Sequence, residues 1–206
     1  MGRPKATVEL DGEPLLRRAV ATLHDAGLDP VVVVLGAGLP GVAELLDGLL
    51  DPADRIPGHL PAHGTTWTPA VGWDTEGQAA SLRAGLELLE HAGPDVDAAL
   101  VTLVDTPGVG AEALRRVAGH AGRPDVLARG TVDGRLGHPV LLGRAHWAAV
   151  RERAHGDAGA RGFLRGRDDV AGVEIGDVAS DVDLDTPDDL ARWTAEHGGR
   201  VRDRER

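Results

Sequence analysis

The chain has 206 residues, enough for one α/β domain with a sizeable core and short of two ordinary domains. A formal net charge of −11 argues against a nucleic-acid surface, which wants a basic face, and no apolar run reaches the ~18 residues that a membrane span needs. There is no cysteine, so disulfides, a thiolate nucleophile and Cys-ligated zinc are excluded; with no charged-then-apolar leader at the start, the composition favours the cytoplasm.

In chain order, the first feature is Gly2-Arg3-Pro4-Lys5, a lysine behind a Gly/Pro turn. Such a lysine can meet a phosphate as a point charge, or simply be solvated. Leu15, Leu16, Ala19, Val20 and Leu23 repeat at helical spacing, and Gly27 makes a natural stop. Val31 to Leu35 is a continuous, mostly β-branched run that predicts a parallel strand buried on both faces. The stretch Asp51 to Thr68 is rich in Pro, Gly and His and predicts a loop, with a weak strand over Ala70 to Gly72.

A helix follows over Ala79, Leu82, Leu86 and Leu89, closing near Gly93-Pro94. It opens on Gly77-Gln78, where a glycine would let a ligand approach free backbone N–H groups, or where an ordinary helix begins. Ala98 to Val104 predicts a second buried strand ending at Asp105-Thr106-Pro107-Gly108. A carboxylate at a strand's carboxyl end can hold a hard cation; equally, Asp followed by Pro can cap a helix. Ala113, Leu114 and Val117 continue the helical series, and weaker strands fall at Asp125 to Ala128, Pro139 to Leu142 and Gly172 to Ile175.

Gly134 to Val140 predicts a tight turn into a strand, and Gly156 to Gly162 a glycine-flanked helix start with Arg161 one turn in; either can receive an anion or be only a turn. In Asp181-Val182-Asp183-Leu184-Asp185 the alternation points the carboxylates to one side, a crowding that a cation would relieve or that solvent screens. A last helix runs from Asp188 to Glu196 behind Thr186-Pro187, and Gly198 to Arg206 is a charged tail. Strands alternating with helices predict a mostly parallel sheet with helices on both faces. Lys5 is the only lysine, Gln78 the only glutamine, and Ser81 and Ser180 the only serines, so these types have survived a strong bias toward Arg, Ala, Gly, Asp and Leu.

Taken together, the segments Met1 to Ala6, Asp11 to Leu16, Trp73, Gly77-Gln78 with Ser81-Leu82, Asp105-Thr106-Pro107, Gly137 to Val140, Gly156 to Arg161 and Asp183 to Pro187 resemble the MobA-like NTP transferases. The Gly-Gln-x-x-Ser-Leu and Gly-Asp-x-Gly-Ala-Arg pieces resemble the CTP:molybdopterin cytidylyltransferase branch. The resemblance implies a Rossmann-like three-layer α/β/α nucleotidyltransferase fold in one domain, 1–197, with 198–206 as a tail. It also implies transfer of CMP from CTP to the phosphate of molybdopterin, with loss of pyrophosphate. By the same resemblance Lys5 and Asp105 are catalytic, and Arg3, Lys5, Gly77, Gln78 and Ser81 bind the nucleotide. Asp105, Asp185 and Asp183 hold Mg²⁺, and His138 and Arg161 face the pterin phosphate.

A related enzyme using GTP or another phosphate acceptor, and a non-catalytic partner that holds the cofactor for a molybdenum hydroxylase, are the alternatives. Members of the family open with a strand and a glycine-rich loop before the position of Met1. The domain is therefore expected to be N-terminally truncated, with that strand encoded in frame upstream or lost.

Overall fold

The computed structural model describes residues 4–36, 41–42, 44–50, 57–61, 63–91 and 96–197. Arg3, the helix stop at Gly93-Pro94, part of the 51–68 loop and the 198–206 tail lie outside the described residues.

The chain enters through a 3₁₀ turn at Lys5–Thr7 and a small hairpin, β1 (Glu9–Leu10) and β2 (Glu13–Pro14). Asp11 and Gly12 both have positive φ, the two-residue geometry that suits the twist of a hairpin. Helix α1 (Leu15–Asp25) buries Leu15, Leu16 and Val20, the predicted stripe. Strand β3 (Val31–Leu35) pairs in parallel with β4 (Thr65–Pro69), with Val31 opposite Thr65 and Leu35 opposite Pro69. Strand β4 falls in the region expected to be loop, and Ala70 to Gly72 is the turn that follows it. Its Thr-Thr-Trp-Thr-Pro sequence is β-prone without an apolar run, and among the described residues it has one ladder partner, a setting in which a proline is tolerated.

Helix α2 (Trp73–Glu90) and α1 both pack on β3. Gly85 lets α2 approach closely, since a Cβ there would lie 3.1 Å from Val34 Cγ2. The larger sheet has the order β5 (Ala98–Val101), β7 (Arg135–Gly143), β6 (Leu127–Val132), β8 (Ala171–Glu174). β7 runs antiparallel to β5 and to β6, and β6 is parallel to β8, so three of the four strands share a direction. Helices α3 (Ala111–Ala118), α4 (Trp147–Arg153), α5 (Arg161–Leu164) and α6 (Pro187–His197) complete the layers. One face of this sheet carries Leu127, Val140 and Leu142 against Trp147, Phe163 and Leu164, and the other carries Ala128, Leu141 and Ile175 against α3. Thr186 and Asp189 cap α6 reciprocally: the Asp189 N–H donates to Thr186 Oγ1 at 3.2 Å and the Thr186 N–H to Asp189 Oδ2 at 2.9 Å.

The two sheets do not join. β3 pairs only with β4 and β5 only with β7, among the described residues. Between them lies a cavity of about 500 Å³ lined by Val31 to Val34, by Ala98 to Val104 and by apolar side chains of α1 and α2. A buried strand, β3, and a largely half-buried one, β5, thus border the cavity with their inner edges unpaired by another strand among the described residues. Backbone polar groups are seldom left in that state.

Candidate functional site

The carboxyl end of β5 organises the first half of the site. Asp105 sits four residues past Val101, and its backbone carbonyl accepts the Leu184 N–H at 2.9 Å. Leu184 is fully buried with Val8, Leu10, Leu15 and Trp193. Because side chains alternate along an extended segment, burying Leu184 turns Asp183 and Asp185 to the opposite side, toward Asp105. Lys5 closes the group: its ammonium donates to Asp105 Oδ2 at 2.6 Å and also to Asp185 Oδ1. Burial works against the Lys5 charge, but the hydrogen bonds to Asp105 and then Asp185 outweigh it and hold its pKa above the ordinary value. Partial burial, then the charges of Asp105 and Asp185, push the Asp183 carboxyl up.

Of the two readings of Asp105, the helix cap falls away: α3 starts at Ala111 behind Gly110, and the Asp105 carboxylate is engaged by Lys5 instead. Among the described residues no group of three His, Cys, Asp or Glu is placed to hold a metal ion. What converges on one positive charge is a pair, Asp105 and Asp185, with the Lys5 ammonium standing where a cation would be attracted. A pair suits a hard divalent ion that takes one or two carboxylates and completes its shell with phosphate and water.

The second half joins segments nearly eighty residues apart. α2 is broken at Gly77, whose φ of 56° and ψ of −141° are non-helical. The Gly156–Ala158 turn packs into that break so closely that a Cβ on Gly77 would lie 2.0 Å from Asp157 Oδ1. The Gln78 N–H points at Asp157 Oδ1 at 3.4 Å. The two glycine motifs, each expected to offer an anion free N–H groups, are therefore partly spent on each other. Asp157 caps the helix that begins again at Gln78, while Gln78 itself stays at the cavity wall with Ser81, Gly159 and Ala160. Gly77→Ala is expected to cost at least about 1–3 kcal/mol from the left-handed backbone alone. The melting temperature should fall by several degrees, and Asp157→Gly in the same chain should recover only part. An unchanged melting temperature in Gly77→Ala would contradict this packing.

The third group is basic. His138, on β7, places Nδ1 3.3 Å from the Val101 carbonyl, which makes that nitrogen the donor. Burial lowers its pKa; the Val101 bond and Asp105 oppose the fall, and Arg129 and Arg161 add to it. Arg161 opens α5 and is exposed. Arg129, on β6, was not expected: a lone arginine between alanine and glycine in a strand resembles any solvated side chain. It lines the same cavity as Gln78, Ser81, His138 and Arg161. Of the described site residues, Gln78, Ser81, His138 and Arg161 line the cavity together with Arg129, Gly77 sits at the break in α2, and Lys5, Asp105, Asp183 and Asp185 form the charged group past β5; Arg3 lies outside the described residues.

The chain is 30% identical over 200 residues to the nicotine blue oxidoreductase of Paenarthrobacter nicotinovorans, covering 93% of this chain and 89% of that protein. A Mycobacterium tuberculosis H37Rv protein, Rv0371C, solved as a complex with manganese, superposes with a TM-score of 0.65 at 26% identity, over 93% of this chain and 91% of that one. A nucleotidyl transferase from Methanothermobacter thermautotroptrophicus superposes with a TM-score of 0.70 at 21% identity, over 93% and 84% of the two chains. The sequence profile of the MobA-like NTP transferase domain matches residues 1–171, and the chain belongs to that family.

Proposed function

We propose that the chain transfers CMP from CTP to the phosphate of a molybdopterin-type acceptor and releases pyrophosphate. A phosphate oxygen of the acceptor attacks the α-phosphorus in line, the new P–O bond forms, and the bond to the leaving pyrophosphate breaks. The protein's share of this chemistry is positioning and charge stabilisation. Lys5 neutralises the triphosphate and the charge that develops as the bond breaks. Gln78 and Ser81, at the cavity wall, contact base or ribose, with Arg3 beside Lys5 on the phosphates. His138 and Arg161 receive the acceptor's phosphate. When bound, a divalent ion such as Mg²⁺ supplies further neutralisation of phosphate charge, held by Asp105 and Asp185 with Asp183 as the substitute.

The observation that carries the reading is the convergence of Lys5, Asp105 and Asp185 at the carboxyl end of β5, beside a cavity with a basic rim. No described helix is long and apolar enough to cross a membrane, and the working compartment is taken as the cytoplasm, with a molybdenum hydroxylase as the recipient of the product.

The catalytic domain is taken as 1–197, with 198–206 as a tail.

Base choice is the direct test. In competition between CTP and GTP with purified molybdopterin, CTP is expected to win, and Gln78→Ala to weaken nucleotide binding by roughly tenfold, the scale of a lost hydrogen bond in a recognition site. Preference for GTP would move the chain to the alternative branch.

The name of the Paenarthrobacter relative, nicotine blue oxidoreductase, favours a second reading, oxidoreduction of nicotine blue. Catalysed redox conversion of nicotine blue, without pyrophosphate release from CTP, would establish it instead.

A further inference from the structure

We propose that Arg129 is the principal anchor for the phosphomonoester of the acceptor, a role that rests on the transfer reaction inferred above and adds a residue to it. Arg129 stands opposite Val140 in the β6–β7 ladder, so its side chain shares a face with Leu127 and, two residues from Val140, with His138. Directly after it the register shifts, with Thr131 next pairing with Leu136. Irregularities of this kind re-aim a side chain beside a site.

The guanidinium is half-buried and lines the cavity. Its Nε donates to the Gly137 carbonyl at 3.3 Å, which fixes the plane of the group. The two terminal nitrogens donate to nothing among the described residues. No carboxylate pairs with Arg129 or with Arg161 there, although the chain carries 33 acidic residues against 22 basic ones. Burial, and then the nearby charge of Arg161, pull the Arg129 pKa down.

Two cations drawn together without a counter-charge are costly, and a dianion placed between them removes the cost. A guanidinium with both terminal nitrogens free presents the planar fork that matches phosphate oxygens two at a time. His138 lies in the field of both arginines and of Asp105, so this basic group borders the carboxylate cluster. A phosphate held by Arg129 and Arg161 would lie in the same cavity that Gln78 and Ser81 line.

The test is titration of the protein with inorganic phosphate, followed through the imidazole NMR signal of His138, which disappears in His138→Gln and is assigned by that loss. Arg129→Gln is expected to weaken phosphate binding roughly ten- to a hundredfold, the range for a lost charge-assisted bidentate contact, and to leave CTP binding within about twofold. Arg129→Lys should fall between. Arg161→Gln, at an exposed position where folding is not at risk, should weaken phosphate binding as well. In turnover, Arg129→Gln should raise the KM for acceptor and spare the KM for CTP. Unchanged phosphate binding in Arg129→Gln would overturn the proposal, and so would an equal loss of CTP binding, which would place the arginine on the nucleotide. If the wild-type chain transfers no CMP yet binds phosphate through Arg129, the transfer reading fails and the anion site stands.

Discussion

Asp105→Ala is expected to lose at least about two to three orders of magnitude in turnover, the scale on which removing one preorganised charge-stabilising group acts. Asp105→Asn should be as impaired, because it keeps the shape and removes the charge. The fold should survive both. The Lys5–Asp105 pair is partly open to solvent, with 34% of the lysine side chain and 16% of the aspartate side chain exposed, and pairs of that kind contribute little to stability. Asp185, 64% exposed, should matter less than Asp105 when changed to alanine. Near-wild-type turnover in Asp105→Asn would remove the carboxylate from the chemistry and leave it a tether for Lys5.

The second large effect is on stability. A β-strand-forming segment fused ahead of Met1 is expected to fill the cavity between β3 and β5. At ~24 cal/mol per Å³, filling about 500 Å³ is worth at most about 12 kcal/mol before the cost of ordering the added strand. Each kcal/mol that survives that cost should raise the melting temperature by roughly 2–4 °C in a chain of this size. Hydrogen exchange should slow at Val31 to Leu35 and at Ala98 to Val101 together, because one strand would pair with both edges. An extension that left both sets of amides exchanging as before would show that the cavity is not a strand site.

Much of this architecture is legible in the sequence where local chemistry decides it. The β-branched run Val31 to Leu35 is β3, and the Leu15-Leu16-Val20 stripe is the buried face of α1. Asp183, Leu184 and Asp185 alternate as expected, and Thr186-Pro187 begins α6. What escapes is set by partners far along the chain. Thr65 to Pro69 becomes a strand because β3 pairs with it, in a stretch whose Pro and His content signals loop. Asp157 reads as part of an anion-binding turn, yet its carboxylate caps the helix at Gln78, and only the fold brings the two together. Arg129 gains meaning from His138 across the β6–β7 hairpin and from Arg161 on a later helix, a grouping that only the fold makes. The division of the sheet is invisible to any local pattern, since it concerns which strand edges meet.

The most direct test of the account follows the α-phosphorus. With CTP labelled at that position and purified molybdopterin as acceptor, the label should move to the acceptor, with one pyrophosphate released for each acceptor consumed. Transfer should depend on a divalent ion and on Asp105. CTP and acceptor left unchanged by the protein, with the label still in CTP, would contradict it.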